Sequence, residues 1–232
     1  MLLLNKYTIF MILEIISISL FRNKKRIFKN FDFKLKKSEI ASLIGKNGSG
    51  KTSLLDMIVG LIKPDSGKII IDRCDINEIG ENKKFKFIYL PFIDTFKENF
   101  SVQDNLMLWS ELSSSEFTQK KLDEKLKFFD LLQLKHTPVS KLSQGQKKRV
   151  SLVKLLLSRC TLWLLDEPFN SLDSENMKKL KDVLLNHRKN GGSILLASHI
   201  DLKIKDTKNV YIKLKKFNTQ SKESNDCWDS LR

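Results

Sequence analysis

Residues 45–52 read Gly45-Lys46-Asn47-Gly48-Ser49-Gly50-Lys51-Thr52 and fit the phosphate-loop pattern G-x-x-x-x-G-K-[ST]. The octapeptide follows an apolar run at 40–44, predicted to be a strand, and precedes a helical pattern at 51–61. Glycines let the backbone N–H groups point at phosphate oxygens, and the N-terminus of the helix adds partial positive charge. A chance match in a glycine-rich turn is the alternative, which the flanking strand and helix disfavour.

We therefore predict a nucleotide site in this loop. Lys51 is expected to reach the β- and γ-phosphates, and Thr52 to hold Mg²⁺. The predicted phosphate-binding residues are Gly45, Asn47, Gly48, Ser49, Gly50, Lys51 and Thr52.

Short apolar runs alternate with amphipathic stretches along most of the chain. Near-continuous apolar strands such as 162–165 are typical of a parallel sheet covered on both faces. The pattern predicts the α/β class, with a mostly parallel core sheet flanked by helices. Besides 40–44, strands are expected at 68–71, 85–90, 161–165, 193–197 and 210–214, and helices at 51–61, 102–112, 118–132, 146–158 and 174–188.

One domain is expected over residues 1–217. Residues 92–145 show helical patterns without convincing strands, which predicts a helical insertion. The polar residues 218–232 are expected to be a disordered tail. Residues 1–20 are mostly apolar, but polar interruptions favour a buried strand over a membrane span or a signal peptide.

A pair of carboxylates, Asp166 and Glu167, follows the apolar run 162–165. Burying two carboxylates at the end of a strand is costly unless they meet a cation or a proton-donating ligand. Asp166 is placed to hold Mg²⁺ through water, and Glu167 to orient the attacking water. Taken alone, the pair is also compatible with a strand followed by an acidic turn.

A third segment, Leu142-Ser143-Gln144-Gly145-Gln146, precedes a helical pattern. Ser143 and Gln146 fit the S-x-x-Q capping box, so this helix start offers backbone N–H groups and a dipole to an anion. A purely structural cap is the alternative. Two anion sites separated by a helical insertion predict that a nucleotide is sandwiched between two copies of the chain.

Together with 171–173 and the lone His199, these motifs occur in the order and approximate spacing of ATP-binding-cassette ATPases. The chain resembles that family over roughly residues 12–214. The resemblance implies a P-loop NTPase fold with additional antiparallel N-terminal strands, a substrate ATP, the cofactor Mg²⁺ and catalytic roles for Glu167 and His199. It also implies a homodimer or paired ATPase subunits with Asp173 at the seam. The segment Ser143, Gln144, Gly145 and Gln146 of one copy would then face the γ-phosphate bound by the other.

Within the family, residues 142–173 look most like the ATP-binding subunits of haem exporters in cytochrome c maturation. The features that carry this likeness are Gln144, Leu162-Trp163, Pro168-Phe169 and Gly191-Gly192. It implies an ATP-hydrolysing subunit that energises haem export or delivery and works with separate integral-membrane subunits. Two alternatives stay open: an ATPase of a soluble assembly or nucleic-acid complex, and a weakly active regulatory subunit.

Two positions depart from the family pattern. Phe92 stands where the family has a Gln that contacts Mg²⁺, and an aromatic ring cannot ligate a metal. We therefore expect either that water completes the coordination or that turnover and coupling are weakened. The aromatic residue that stacks on adenine is assigned to Phe21, although Arg22 fits that position about as well, and packing of Phe21 against the sheet is the alternative.

The composition and length of the chain bear on its binding partners. The chain has 232 residues, 42 basic against 27 acidic, and a net charge of +15. Such a field attracts anions, but the lysine excess also reflects an AT-rich coding bias, and with ATP accounted for no nucleic-acid partner is expected. A length of one ATPase domain makes separate membrane subunits the expectation for transport.

Compartment follows from the cysteines and from targeting signals. Three widely spaced cysteines argue against disulfides or structural zinc and favour a reducing compartment. No import signal is recognisable. We expect a peripheral position on an inner membrane, with the matrix face in mitochondria favoured and the cytoplasmic face of a bacterial inner membrane as the alternative.

Overall fold

A parallel sheet forms the centre of the computed structural model, which describes residues 11–22, 25–78, 87–113, 115–199, 204 and 206–212. Within these residues the sheet has five strands in the order β6-β7-β8-β3-β9, and every neighbouring pair is parallel. Its strands are β3 (Ile40–Ile44), β6 (Phe87–Leu90), β7 (Leu162–Asp166), β8 (Ser193–Ser198) and β9 (Thr207–Tyr211). The predicted parallel core sheet is confirmed.

A second, antiparallel sheet has the order β2-β1-β4-β5. Its strands are β1 (Met11–Arg22), β2 (Lys25–Lys36), β4 (Ser66–Ile71) and β5 (Cys74–Asp75). The expected antiparallel N-terminal strands are confirmed, with β1 covering the described part of the apolar N-terminal run. Residues 25–36 were not predicted to be a strand, although Phe31, Phe33 and Leu35 alternate with charged residues as a half-buried strand requires.

The parallel sheet is covered on both faces. On β7, Trp163 and Leu165 pack into the core shared with the helical insertion, whereas Leu162 and Leu164 pack into the core shared with the antiparallel sheet. All five residues of β7 are buried. This double coverage explains why the strand reads as a continuous apolar run.

Five helices cover these cores in the described chain: α1 (Lys51–Ile58), α2 (Val102–Ser113), α3 (Gln119–Phe128), α4 (Gln144–Leu157) and α5 (Ser174–Lys189). Helices α2 and α3 lie between β6 and β7 in the chain, so the helical character of the insertion is confirmed. The predicted helix at 118–132 is one turn too long, because Asp130 adopts a left-handed φ of 56°.

Other boundaries shift in the same way. The predicted helix at 51–61 ends at Ile58, and the chain then turns at Gly60, whose φ is 80°. Helix α4 begins two residues before the predicted 146, and the last strand begins three residues before the predicted 210. The residues 1–10, 85–86 and 213–214 of predicted strands, the boundary at 217 and the tail 218–232 lie outside the described residues.

The topology places functional residues at one edge of the parallel sheet. The carboxyl ends of β3, β6, β7 and β8 lead into residues 45–52, Phe92, Asp166–Glu167 and His199. Ligands of open α/β sheets bind at this edge. Among the described helices, none is long and apolar enough to cross a membrane.

Candidate active site

Strand β2 packs against the loop between β3 and α1. Gly50 has a φ of 100°, and a Cβ atom there would lie 2.6 Å from Cγ2 of Ile27 and 3.1 Å from Cζ of Phe28. A larger residue would therefore be strained and would collide with β2. Lys51 is buried, and its Nζ donates to the carbonyl oxygens of Gly45 at 2.8 Å and Lys46 at 3.3 Å. The loop thus curls around its own lysine.

The end of β7 approaches the first turn of α1. The hydroxyl of Thr52 donates to Oδ2 of Asp166 at 2.6 Å. The other carboxylate oxygen, Oδ1, is buried and has no hydrogen-bond partner within the described chain, and the same is true of Oγ of Ser49. Burial raises the pKa of Asp166. Since buried polar atoms are nearly always paired, and Asp166 lines the cleft at this edge, its Oδ1 is open to a ligand.

The oxygens of Thr52 and Asp166 fit Mg²⁺, a hard cation that prefers carboxylate and hydroxyl oxygens. The described residues contain no cluster of three or more His, Cys, Asp or Glu that would hold a metal by themselves. Mg²⁺ usually takes one or two carboxylates and otherwise water and substrate phosphates. Thr52 and Asp166 would hold the ion, which would neutralise charge on the phosphate oxygens.

Glu167 lies between a cation and an imidazole. Its Oε1 is 3.6 Å from Nζ of Lys51, and its Oε2 is 3.0 Å from Nδ1 of His199. The backbone of Glu167 has a φ of 45°, a left-handed conformation that is uncommon outside glycine and often found at functional sites. The carboxylate is therefore held in one orientation, as a group that positions a water molecule requires.

These groups line one cleft with a volume of about 370 Å³. It brings together the predicted Asn47, Gly48, Gly50, Lys51, Thr52, Asp166, Glu167 and His199. Phe92 also lines the cleft and is 53 % exposed, so an aromatic ring stands where a metal-contacting Gln was expected from the family resemblance. Ile27, Ser53 and Asn170 complete the lining and were not predicted from the sequence.

The signature segment, residues 142–146, lies outside this cleft. Ser143 and Gln146 form the predicted capping box, with Gln146 N donating to Ser143 Oγ at 3.2 Å and Ser143 N donating to Gln146 Oε1 at 2.8 Å. Gln144 lines a neighbouring cleft instead. A Cβ atom on Gly145 would lie 2.8 Å from the carbonyl oxygen of Ser171, so only glycine lets α4 approach that turn.

Four other predicted residues do not line the cleft: Gly45 and Ser49 belong to the loop itself, and Asp173 and Phe21 lie elsewhere. Asp173 caps α5, and its Oδ1 accepts from the backbone N–H of Asn176 at 2.8 Å, the main cause that lowers the pKa of Asp173. Phe21 is 48 % exposed, with the guanidinium carbon of Arg26 4.7 Å from its ring centroid. Arg22 is also exposed. Adenine stacking by Phe21 stays a prediction.

Sequence reasoning missed a set of polar residues behind the site. The hydroxyl of Tyr89 donates to Oδ1 of Asp56 at 3.1 Å, which ties β6 to α1. Burial is the main cause that raises the pKa of Tyr89. Asp94, in the segment that follows β6, and Lys148, on helix α4, line the same neighbouring cleft. No motif marks these residues, because their proximity arises from packing between distant elements.

A phosphate loop beside two strand-end carboxylates, on a parallel sheet covered by helices, defines a P-loop ATPase. The chain belongs to the ABC transporter family, whose family model matches residues 28–170. It is an ABC transporter ATPase. The fold class and function expected from the sequence are confirmed at this level.

Relatives and solved structures extend this similarity over most of the chain. The cytochrome c biogenesis ATP-binding export protein CcmA of Reclinomonas americana is 38% identical and aligns over 86% of this chain and 89% of its own. The protein of the same name from Dechloromonas aromatica is 33% identical over 83% and 94% of the two chains.

The fold is found in solved structures as well. An ATP-binding protein from Pyrococcus furiosus superposes with a TM-score of 0.75 at 28% identity, over 86% of this chain and 96% of that one. The ATP-binding subunit of an ABC transporter superposes with a TM-score of 0.73 at 26% identity, over 82% and 80%.

Proposed function

We propose that this chain is the ATP-hydrolysing subunit that energises haem export or delivery in cytochrome c biogenesis. The observation that carries the proposal is its 38% identity, across 86% of this chain and 89% of the relative, to a cytochrome c biogenesis ATP-binding export protein. The assignment of haem as the exported or delivered group rests on the likeness of residues 142–173 to haem-exporter subunits. The membrane path would come from separate integral-membrane subunits.

Hydrolysis would use the cleft as follows. Lys51 leaves the carbonyl oxygens of its own loop and reaches the phosphates, as expected for the lysine of a phosphate loop. Glu167 orients the attacking water, and His199, whose Nδ1 lies 3.0 Å from Glu167, contacts the γ-phosphate. Thr52 and Asp166 would hold Mg²⁺.

A second ATPase subunit completes the site in this proposal. Ser143 and Gln144 are exposed, and residues 142–146 do not line the cleft of their own chain in the described part. The N-terminus of α4, with its free N–H groups and dipole, is therefore available to an anion held elsewhere. We assign it to the γ-phosphate bound by the partner copy, with Asp173 near the seam.

We place the protein at the inner face of an inner membrane, bound through its transporter subunits. The similarity to export proteins supports a membrane-associated assembly. The Dechloromonas relative is bacterial, and the relatives in general are mostly bacterial, which supports the cytoplasmic face of a bacterial inner membrane. They lend no support to the mitochondrial matrix face, which the sequence favoured.

Complementation tests the function. Cells that lack their own cytochrome c biogenesis ATPase are given the wild-type chain, Glu167→Gln or Lys51→Ala together with the chain's own membrane subunits. We expect c-type cytochromes with covalently bound haem, measured by haem staining, only with the wild type. Full assembly with either variant, or none with a wild-type chain that hydrolyses ATP, would contradict the proposal.

Recovery of the chain separates the alternatives. We expect it to co-purify in detergent with integral-membrane subunits after a salt wash. Recovery in a soluble complex, or in a complex that nuclease disperses, would favour the alternative assemblies.

A weakly active regulatory subunit is the other alternative, and the position of Phe92 in the cleft is the observation that favours it. Steady-state phosphate release with the membrane subunits present measures it.

A further inference from the structure

Two side-chain hydrogen bonds join helix α1 to neighbouring strands of the parallel sheet. The hydroxyl of Thr52 donates to Oδ2 of Asp166 on β7 at 2.6 Å, and the hydroxyl of Tyr89 on β6 donates to Oδ1 of Asp56 at 3.1 Å. Thr52 and Asp56 stand one turn apart on the same side of α1. The first bond lies in the site, whereas the second has no assigned role.

The two strand residues project from the same face of the sheet. In the pairing of β6 with β7, Tyr89 stands opposite Leu164, and Asp166 follows Leu164 by two residues. Side chains two residues apart on a strand lie on the same face. Leu164 belongs to the core that also contains Leu54 and Leu55 of α1, and Tyr89 packs against that core. Both bonds therefore connect one helix with one face of the sheet.

Hydrogen bonds fix the position of α1 in a way that its apolar contacts do not. Apolar packing is non-directional, whereas a hydrogen bond has a preferred length and angle. Burial, followed by the charge of Asp56, raises the pKa of Tyr89, so its hydroxyl keeps the proton that it donates. The bond from Tyr89 thus holds α1 at a defined distance from β6.

The two bonds differ in what the proposed function requires of them. Thr52 and Asp166 are both assigned to Mg²⁺, so the bond between them is exchanged at least in part for contacts to the ion. Neither Tyr89 nor Asp56 is among the described residues that line the ATP cleft. Of these two bonds, the one between Tyr89 and Asp56 then still fixes α1 against the sheet.

We propose that Tyr89 is a positioning residue, which acts through Asp56 to keep the first turn of α1 where Thr52 and Asp166 can hold Mg²⁺ together. This inference rests on the proposed role of Thr52 and Asp166. Tyr89 acts on the helix that carries Thr52, and not on the substrate or the ion.

Binding of ADP with and without Mg²⁺ tests this role in the full chain. ADP keeps the α- and β-phosphates that a phosphate loop cradles, and it is not consumed by hydrolysis. Isothermal titration calorimetry gives the Kd of ADP in EDTA and in Mg²⁺, and the ratio of the two values measures what Mg²⁺ contributes. We expect Tyr89→Phe to lower this ratio by about two- to tenfold, which corresponds to one lost hydrogen bond. The Kd in EDTA should stay close to the wild-type value, because the phosphate loop is intact.

Three variants serve as controls for Tyr89→Phe. Tyr211→Phe removes the same hydroxyl from the end of β9, where Tyr211 is 63 % exposed, and should leave the ratio unchanged. Asp56→Ala removes the acceptor and should lower the ratio as much as Tyr89→Phe does. Asp56→Asn keeps an oxygen that accepts from Tyr89 but removes the charge, and should retain most of the ratio. If Tyr89→Phe does not fold, the comparison of Asp56→Ala with Asp56→Asn carries the same test.

Three results would overturn the proposal. One is a ratio in Tyr89→Phe that is no lower than in Tyr211→Phe. Another is a loss in Asp56→Asn as large as in Asp56→Ala, because the charge and not the hydrogen bond would then matter. The third is a double variant, Tyr89→Phe with Asp56→Ala, in which the two losses add, since the two partners of one bond should not act independently.

A failure of the proposed function gives a different result. A wild-type chain with the same Kd in Mg²⁺ and in EDTA would contradict the assignment of Thr52 and Asp166 to Mg²⁺, and the role of Tyr89 with it. A wild-type chain that depends on Mg²⁺, beside an unchanged Tyr89→Phe, would contradict the role of Tyr89 alone.

Discussion

The phosphate-loop edge, formed by residues 45–52 with Asp166 and Glu167, and the helical insertion both bury polar groups, and Asn105 of the insertion differs from two oxygens of the edge. At the edge, Oδ1 of Asp166 and Oγ of Ser49 are buried without a hydrogen-bond partner in the described chain. In the insertion, the side chain of Asn105 is 6 % exposed and fully engaged: Oδ1 accepts from Lys97 N, and Nδ2 lies 3.0–3.2 Å from three carbonyl oxygens.

This difference in hydrogen bonding distinguishes a ligand-binding site from a structural element. A buried polar group that the protein itself satisfies fixes one backbone arrangement, because every alternative leaves it unpaired. A buried group left open is destabilising until a ligand fills the place. The contacts of Asn105 therefore need no nucleotide, whereas the edge would be completed by ATP and, in the proposed function, by Mg²⁺.

The largest expected effect is at the edge. Glu167→Gln keeps the shape of the side chain but removes the carboxylate to which we assign the orientation of water, so kcat should fall by about 10²- to 10⁴-fold. Steady-state phosphate release measures it, and size-exclusion chromatography with ATP should show an accumulated dimer.

Glu98→Gln is the matched control in the insertion. Glu98 is exposed, and its carboxylate lies 3.0 Å from Nζ of Lys147. An exposed ion pair contributes about 1 kcal/mol or less, so kcat should be unchanged. An equal loss of kcat in Glu167→Gln and Glu98→Gln would show that the two regions do not differ in their importance for hydrolysis.

The next effect falls on the stability of the insertion. Asn105→Ala leaves Lys97 N and the surrounding carbonyl oxygens unpaired in a buried place, and should lower the free energy of unfolding by about 2–3 kcal/mol. Thermal denaturation measures this. Asn186→Ala, on the exposed side of α5, should change the free energy of unfolding by less than about 0.5 kcal/mol.

ATP binding to Asn105→Ala should be unchanged below the melting temperature. The phosphate loop makes none of the contacts of Asn105. A large loss of ATP affinity in a folded Asn105→Ala protein would show that the insertion and the edge are one cooperative unit.

A smaller effect is expected where the two regions meet. Phe92→Gln puts a polar group in the cleft at the position where a metal-contacting Gln is expected, and one added hydrogen bond corresponds to an increase in kcat of about two- to tenfold. Ile93→Gln is the control, because Ile93 is exposed and lines the neighbouring cleft instead. An unchanged kcat for Phe92→Gln would show that Phe92 does not limit turnover.

The smallest effect concerns the start of α4. Ser143→Ala removes the hydroxyl that accepts from Gln146 N and should lower the free energy of unfolding by about 1 kcal/mol. The free energy of unfolding is measured without ATP, so that a contact between Ser143 and a nucleotide on the partner copy does not contribute. Ser140→Ala, at a nearby exposed position, should change nothing. An unchanged free energy of unfolding in Ser143→Ala would show that the hydroxyl does not stabilise the helix, and contact with a ligand would then be its role.

The sequence by itself determined the local motifs. The phosphate loop, the strand-end pair Asp166–Glu167 and the capping box of α4 each depend on neighbours a few residues away, and the structure forms the loop, the strand end and the cap where they were expected. Strand β2 was also readable from its alternation. These features follow from short-range rules of backbone geometry and side-chain periodicity.

Only the tertiary structure decided which distant residues meet. The hydroxyl of Thr52 donates to Asp166 across 114 positions of the chain, and Ile27 of β2 packs against Gly50. Such pairings depend on strand order and on the packing of helices against both faces of the sheet. No local pattern encodes them, because the free energy that selects them comes from burying apolar surface over the whole core.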